Sequence, residues 1–158
     1  MKTRKTNAMR HLDTLKLPYE HYEFDLKEAA DAVTVASLLK SDVAKVFKTL
    51  VTVANDGEHF VFMVPAARHL SLKKAAKAAG KKKVEMIAQK QLLPLTGYVH
   101  GGCSPLGMKK QFVTFMDSSA LEQDKIFFSG GKIGVQIEMD PHLLQQAAGI
   151  KAADICED

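Results

Sequence analysis

The fold follows from residues 46–64, which read VFKTLVTVANDGEHFVFMV. The segment contains two β-branched, apolar stretches, residues 46–53 and 60–64, on either side of the turn-forming Asn55-Asp56-Gly57. This pattern predicts two buried strands joined as a hairpin. A charged residue, Lys48, interrupts the first strand, although burial of an ammonium group is unfavourable.

Helix and strand patterns are mixed on both sides of this hairpin. Capping residues and apolar residues at helical spacing predict helices at about residues 6–16, 28–39, 71–79, 87–93 and 141–148. Apolar or alternating residues predict further strands at 22–24, 112–116, 126–128 and 133–139, and a return to the sheet at 150–155. Because no regular βαβ repeat is visible, we expect an α+β fold around a mixed sheet.

The composition is that of a globular protein. Of the 158 residues, 46% are hydrophobic and 25% are charged, which excludes a disordered or fibrous chain. We expect residues 1–158 to form a single domain. No apolar run approaches the roughly 20 residues that a membrane-spanning helix needs. The N-terminal residues are polar, unlike a signal peptide, so we expect a cytoplasmic protein.

Several enzyme motifs are absent from the sequence. It contains no Walker lysine motif, no dinucleotide-binding glycine fingerprint and no nucleophile elbow. The six histidines and the two cysteines, Cys103 and Cys156, show no metal-ligand spacing. We therefore expect neither a metal nor a cofactor.

Positive charge is concentrated in one part of the chain. The net charge is +4, yet residues 68–110 contain ten lysines and arginines against one acid, Glu85. This segregation predicts either a basic face that binds a polyanion or a solvated, lysine-rich helix. Most of the cations are lysines, which favours contacts to backbone phosphates over arginine readout of base edges.

Three features could carry chemistry. Lys48 either extends to solvent at a strand edge or lines a polar cleft, and Thr49 should leave a regular strand on the opposite face. Residues 101–107, GGCSPLG, form either a tight loop or a cradle whose amides bind an anion or a carbonyl oxygen. Residues 129–132, SGGK, form a hairpin turn that could also hold a hydroxyl or a phosphate.

A cysteine nucleophile is a further hypothesis. Cys103 lies three residues from His100, and a thiolate hydrolase could use such a pair. The sequence does not show whether the two side chains meet, and it offers no third group to orient the histidine. A free thiol in a loop is the commoner case.

Four segments in this order resemble the YbaK/EbsC family, the free-standing relatives of the editing domain of bacterial prolyl-tRNA synthetases. They are VFKTLV at 46–51, KKVEM at 82–86, GYVHGGCSPLGMKK at 97–110 and FSGGK at 128–132. The resemblance extends from about residue 20 to the end of the chain. It implies a mixed, partly barrel-like sheet surrounded by helices, and an enzyme that removes wrongly attached amino acids from tRNA.

The resemblance also implies functions for individual residues. Lys48 would hold the amino-acid end or the terminal adenosine, and the amides of Gly101 and Gly102 would polarise the ester carbonyl. Other residues implied to contact the substrate are Tyr22, Thr49, Ser129, Gly130 and Gln136. The basic stretch would steer the acceptor stem, with candidate contacts at Lys73, Lys74, Lys81, Lys82, Lys109 and Lys110.

The branch that this chain resembles most is similar to a cysteinyl-tRNA(Pro) deacylase. Cysteine is close to proline in size, so a synthetase pocket rejects it poorly and a second hydrolytic site is needed. The cysteine thiol of the substrate would attack its own ester, so that the enzyme needs no nucleophile. The expected partners are aminoacylated tRNA and, as a candidate, prolyl-tRNA synthetase.

One departure from the family leaves the substrate open. Gln136 stands where cysteine-specific members often carry an acidic residue. The alternatives are therefore a deacylase for another amino acid such as alanine, or a non-catalytic tRNA-binding or regulatory module.

Overall fold

A computed structural model describes residues 5–158 and contains five α-helices and eight strands there. The helices are α1 (Asn7–Leu15), α2 (Ala32–Leu39), α3 (Leu72–Ala79), α4 (Gln89–Thr96) and α5 (Pro141–Ala148). The strands are β1 (Glu20–Glu23), β2 (Phe47–Ala54), β3 (His59–Pro65), β4 (Val84–Met86), β5 (Val113–Asp117), β6 (Ile126–Ser129), β7 (Val135–Met139) and β8 (Lys151–Ala153). Within the described residues, no helix is long and apolar enough to cross a membrane.

The predicted hairpin forms the middle of the larger of two sheets. Strands β2 and β3 pair antiparallel from Phe47 opposite Pro65 to Val53 opposite His59. The amide of Ala54 closes the turn by donating to the carbonyl of Glu58 at 2.7 Å. The five-stranded sheet has the order β4-β2-β3-β5-β8, in which β5 runs parallel to β3 and to β8. The mixed sheet expected from the sequence is therefore confirmed.

A second, antiparallel sheet has the order β1-β7-β6. The two sheets meet where Val46, just before β2, forms a bridge with Phe127 of β6. Across residues 5–158 the two sheets do not form a closed barrel. The α+β architecture implied by the resemblance, β-sheet surrounded by helices, is thus observed, and its strands form two sheets joined by one bridge.

Local signals set most helix ends. Thr6, Ser71 and Asp140 cap α1, α3 and α5, and their side chains accept hydrogen bonds from backbone amides of the first turn. Helix α2 begins at Ala32, four residues later than predicted, because Asp31 acts as its cap and accepts from the Thr34 amide at 2.7 Å. Helix α4 also begins later than predicted, and it continues past Pro94 to Thr96.

Two apolar clusters hold the sheets and helices together. One lies between the sheets and the terminal helices, and it contains Met9, Phe128, Ile137 and Leu144. The other packs α3 against the five-stranded sheet. Fully burying one such side chain stabilises the fold by roughly 1.5–3 kcal/mol. These clusters fix the positions of the strand ends from which the candidate site is built.

The glycine-rich loop after α4 packs on the opposite face of the hairpin from α3. Tyr98, Cys103 and Met108 form a third cluster with Val51 and Val61. The buried Tyr98 hydroxyl donates to the carbonyl oxygen of Leu106 at 2.6 Å. This bond joins the two ends of the loop and holds it against β2.

Candidate active site

A cleft of about 350 Å³ opens along one edge of β2. Strand β4 pairs only with residues 52–54 of β2, and β6 forms a bridge to this part of the chain only at Val46. Residues 48–50 therefore have no hydrogen-bonded strand on that side within the described part of the chain. Loop 100–103, the turn between β6 and β7, and residues from Phe24 to Leu38 supply the remaining walls. The volume is in the range of small-molecule sites.

Lys48 is placed in this cleft with its charge unpaired. It is half-buried, and it forms no hydrogen bond or ion pair with residues 5–158. Partial burial lowers the pKa of the Lys48 ammonium below its ordinary value. Such a group is suited to bind an electron-rich oxygen of a ligand.

Thr49 and Gln136 contribute two buried oxygen atoms to the same cleft. Neither the Thr49 Oγ1 nor the Gln136 Oε1 has a hydrogen-bond partner within the described part of the chain. Buried polar atoms of this kind are rare in folded proteins, and each one is destabilising by about 1–3 kcal/mol. Both residues line the same cleft, so their unpartnered oxygens lie within its wall.

Gly101 and Gly102 differ in what they offer. Gly101 lines the cleft at φ +84°, and its amide forms no hydrogen bond with residues 5–158. The Gly102 amide already donates to the Val99 carbonyl at 2.9 Å. A Cβ atom on Gly101 would lie 2.4 Å from the Ala29 Cβ, and one on Gly102 would lie 2.9 Å from the Ile133 nitrogen. Both positions therefore need glycine, but only the Gly101 amide lacks a hydrogen-bond partner among residues 5–158.

The β6–β7 turn supplies one further polar group. The Ser129 side chain lines the cleft, and its Oγ accepts a hydrogen bond from the Gly131 amide at 3.2 Å. Gly130 is buried behind the cleft wall, where its amide donates to the Val135 carbonyl at 2.8 Å. Of these two sequence-predicted residues, Ser129 alone is brought to the cleft.

Tyr22 does not line the cleft. Its hydroxyl donates to Glu138 Oε1 at 2.7 Å and also lies 3.2 Å from Glu20 Oε2. These carboxylates raise the pKa of Tyr22 to about 12. Its ring packs near Phe127, so Tyr22 supports the sheet beside the cleft.

Cys103 and His100 both line the cleft, but the thiol is not activated. Cys103 is buried, and burial raises its pKa to about 12. The sulfur lies 4.0 Å from the Ser104 carbonyl oxygen and contacts Thr96. Reactive thiols have depressed pKa values and a nearby positive group. The geometry therefore disfavours the thiol-hydrolase hypothesis.

The six lysines predicted to contact tRNA fall into two groups. Lys74 pairs with Asp154 and Asp158, and Lys81 pairs with Asp56 and Glu58. The other four form no ion pair with described residues, although the Lys109 ammonium donates to the Pro94 carbonyl oxygen at 3.5 Å and the Lys110 ammonium lies 5.8 Å from the centre of the Phe112 ring. These four are Lys73, Lys82, Lys109 and Lys110.

The family of aminoacyl-tRNA editing domains matches residues 27–147. This chain belongs to that family. A protein of Enterococcus faecalis (strain ATCC 700802 / V583), named "Putative Cys-tRNA(Pro)/Cys-tRNA(Cys) deacylase EbsC", is 45% identical over 152 residues. The match covers 96% of this chain and 93% of that protein. The family expected from the sequence motifs is confirmed.

Two solved structures share the fold of this editing domain. One, described as "a putative trans-editing enzyme for prolyl tRNA synthetase", has a TM-score of 0.86 at 23% identity and covers 99% of this chain and 100% of that chain. The other, of a hypothetical protein, has a TM-score of 0.87 at 24% identity and covers 96% of this chain and 100% of that chain.

One wall of the cleft was not predicted from the sequence. Residues 29–32 line it beside Lys48, together with Val35 of α2. The alanine-rich pattern of 28–39 predicts one continuous helix. The Asp31 cap could have indicated that residues before it form a loop.

Proposed function

We propose that this protein is an aminoacyl-tRNA deacylase that removes cysteine from mischarged Cys-tRNA(Pro). The proposal is carried by the unpaired ammonium of Lys48 in a cleft that also contains the unpartnered oxygens of Thr49 and Gln136. Membership of the editing-domain family and the name of the 45% identical relative support the same activity.

Five polar groups of the cleft have a part in binding the aminoacyl ester. The Lys48 ammonium donates to oxygens of the amino-acid end or the terminal ribose. The free amide of Gly101 donates to the ester carbonyl and stabilises the negative charge that develops on its oxygen. The Thr49 and Gln136 oxygens accept from the α-ammonium group of the substrate, and Ser129 holds a ribose hydroxyl.

The substrate supplies the nucleophile. The cysteine thiol attacks its own ester carbonyl, and a carbon–sulfur bond forms while the carbon–oxygen bond to the ribose breaks. The products are a cyclic thiolactone and free tRNA, and the thiol proton ends on the ribose hydroxyl. The protein holds the ester in a reactive geometry, and an intramolecular attack gains its rate from this proximity. The high pKa of Cys103, about 12, is consistent with a passive loop thiol.

The editing domain comprises residues 1–158. The tRNA binds to it through its phosphates. Contacts come from the basic stretch, in particular Lys73, Lys82, Lys109 and Lys110, which have no carboxylate partner among the described residues. Because such contacts carry little sequence information, selectivity for tRNA(Pro) comes from association with prolyl-tRNA synthetase. The reaction takes place in the cytoplasm, where tRNA is charged.

Single-turnover deacylation of Cys-tRNA(Pro) by the wild type and by Lys48→Ala tests the proposal. We expect release of cysteine by the wild type and a loss of roughly 100-fold in the variant. If the wild type binds the tRNA but releases none of cysteine, alanine and serine from it, the protein is a binding or regulatory module. The replacement of an acid by Gln136 makes alanine the first alternative substrate to assay.

A further inference from the structure

A second, shallow groove of about 400 Å³ lies beside the cleft. Its walls come from the start of α1, from Gly97 and Tyr98 at the beginning of the glycine-rich loop, and from Gly131 and Lys132 in the β6–β7 turn. None of the functions assigned above uses this groove.

The groove and the cleft share two walls. In the β6–β7 turn, Lys132 lines the groove and Ile133 lines the cleft. In the glycine-rich loop, Tyr98 lines the groove and His100 lines the cleft. Along each segment, residues one or two positions apart therefore line the two sites.

The groove is basic. Its lining residues include Lys5, Arg10 and Lys132 and no carboxylate. Lys5 is bonded to Asp13 outside the groove, whereas Arg10 and Lys132 form no ion pair with described residues. Lys109 adds a further cation, since its side chain packs over Gly97. By contrast, the acids near β4 and the C-terminus neutralise Lys74, Lys81 and Lys83.

We propose that this groove binds backbone phosphates of the tRNA strand whose terminal aminoacyl ester lies in the cleft. The inference rests on the proposed function, because that function places the 3′ end of a nucleic acid in the adjoining site. Unpaired arginine and lysine side chains along a groove are the features that bind a single strand through its backbone. Arg10 and Lys132 are the two phosphate contacts, and Lys109 extends the same surface.

The test is the salt dependence of tRNA binding by the full chain. We compare the wild type with the double variant Arg10→Gln/Lys132→Gln, using uncharged tRNA(Pro) and a nucleic acid duplex of equal charge. Lys151→Gln is the control, since Lys151 is exposed on β8, at the far edge of the larger sheet from β4. We expect the slope of log affinity against log salt to fall by about two in the double variant and to stay unchanged in the control. The affinity for tRNA at low salt should fall roughly tenfold, with a smaller fall for the duplex.

Two results would overturn the inference. One is an unchanged salt-dependence slope in Arg10→Gln/Lys132→Gln, which is the groove variant. The other is a slope that falls by about two in Lys73→Gln/Lys82→Gln and does not fall in the groove variant. Deacylation separates this inference from the proposed function. If the wild type releases cysteine and the groove variant has an unchanged KM, the groove inference alone fails. If the wild type releases no amino acid, the proposed function fails. The salt dependence of tRNA binding still tests whether the groove contacts the phosphates.

Discussion

Lys48 and Thr49 are adjacent residues that leave β2 on opposite faces of the sheet, and both line the same cleft. The cleft can collect both side chains because it lies at the free edge of the strand, between the two sheets. One side chain supplies an unpaired cation and the other a buried oxygen without a partner. The cleft therefore exists because the two sheets are not hydrogen-bonded to each other along residues 48–50 of β2.

Replacing Lys48 by methionine should separate stability from activity. Burial lowers the pKa of Lys48 in the folded protein, so the charged form is less favoured there than in the unfolded chain. The wild type therefore gains stability from this group as pH rises from the folded pKa toward the ordinary value of 10.5. At pH 7 we expect Lys48→Met to be at least as stable as the wild type, measured by urea unfolding, while deacylation falls roughly 100-fold.

Lys45→Met is the matched control for that experiment. Lys45 lies three residues away and pairs with Asp124 at the surface at 3.1 Å. Its replacement should leave deacylation unchanged and alter stability by less than about 1 kcal/mol. A stability loss in Lys48→Met, with activity falling in parallel, would mean that Lys48 acts through the fold.

Two threonines of β2 should respond in opposite ways to replacement by valine. The Thr49 hydroxyl is buried without a partner, so Thr49→Val should raise the free energy of unfolding by about 1 kcal/mol and raise the KM for aminoacyl-tRNA. The Thr52 hydroxyl donates to the Phe60 carbonyl at 2.9 Å, so Thr52→Val should lower stability by about 1 kcal/mol with little effect on KM. Equal effects of the two variants on KM would contradict a substrate contact at Thr49.

Gly101 should tolerate no side chain. Gly101→Ala places a Cβ 2.4 Å from the Ala29 Cβ at a φ of +84°, so we expect a loss of about 1–3 kcal/mol in stability and a loss of roughly 100-fold in deacylation. Gly149→Ala is the control that tests the positive φ without a steric clash. Gly149 has a φ of +68°, and no atom lies within 4 Å of an added Cβ. That variant should lose about 1 kcal/mol and retain its activity. Full activity and stability in Gly101→Ala would contradict the requirement for glycine at this position.

Cys103 should be dispensable for the reaction. Its pKa of about 12 leaves the thiol protonated at neutral pH, so native protein should react with iodoacetamide at pH 8 far more slowly than unfolded protein. We expect Cys103→Ser to retain deacylation within about threefold of the wild type. A loss of activity without a loss of fold, checked by urea unfolding, would restore the Cys103/His100 hypothesis.

Much of this architecture could be predicted from local patterns. Two apolar, β-branched stretches flank the turn of the hairpin, and Ser71 and Gly80 mark the ends of α3 as predicted. Short elements were harder to predict. Strand β4 is only three residues long, and its pairing with Thr52–Ala54 depends on distant sequence. The start of α2 was predicted too early, because the high helix propensity of Ala29 and Ala30 favoured a helix there. In the structure these two residues precede the helix and line the cleft.

Local motifs likewise predicted some residues of the candidate site but not the contacts between residues that are distant in the sequence. Motifs singled out Lys48, Gly101 and Ser129, which the fold brings together at one cleft. They could not show that the Gly102 amide is already bonded to Val99. They also gave no sign of the second groove, because Arg10 and Lys132 are 122 residues apart in the chain.

The most direct test of this account is deacylation of matched tRNA(Pro) carrying cysteine, alanine or serine, by the wild type and by Lys48→Ala. We expect fast loss of cysteine alone, and we expect this loss to depend on Lys48. Serine has the same shape with a hydroxyl in place of the thiol, so it reports directly on the nucleophile. Equally rapid release of serine or alanine would contradict an obligatory substrate thiol and would assign the attack to an activated water.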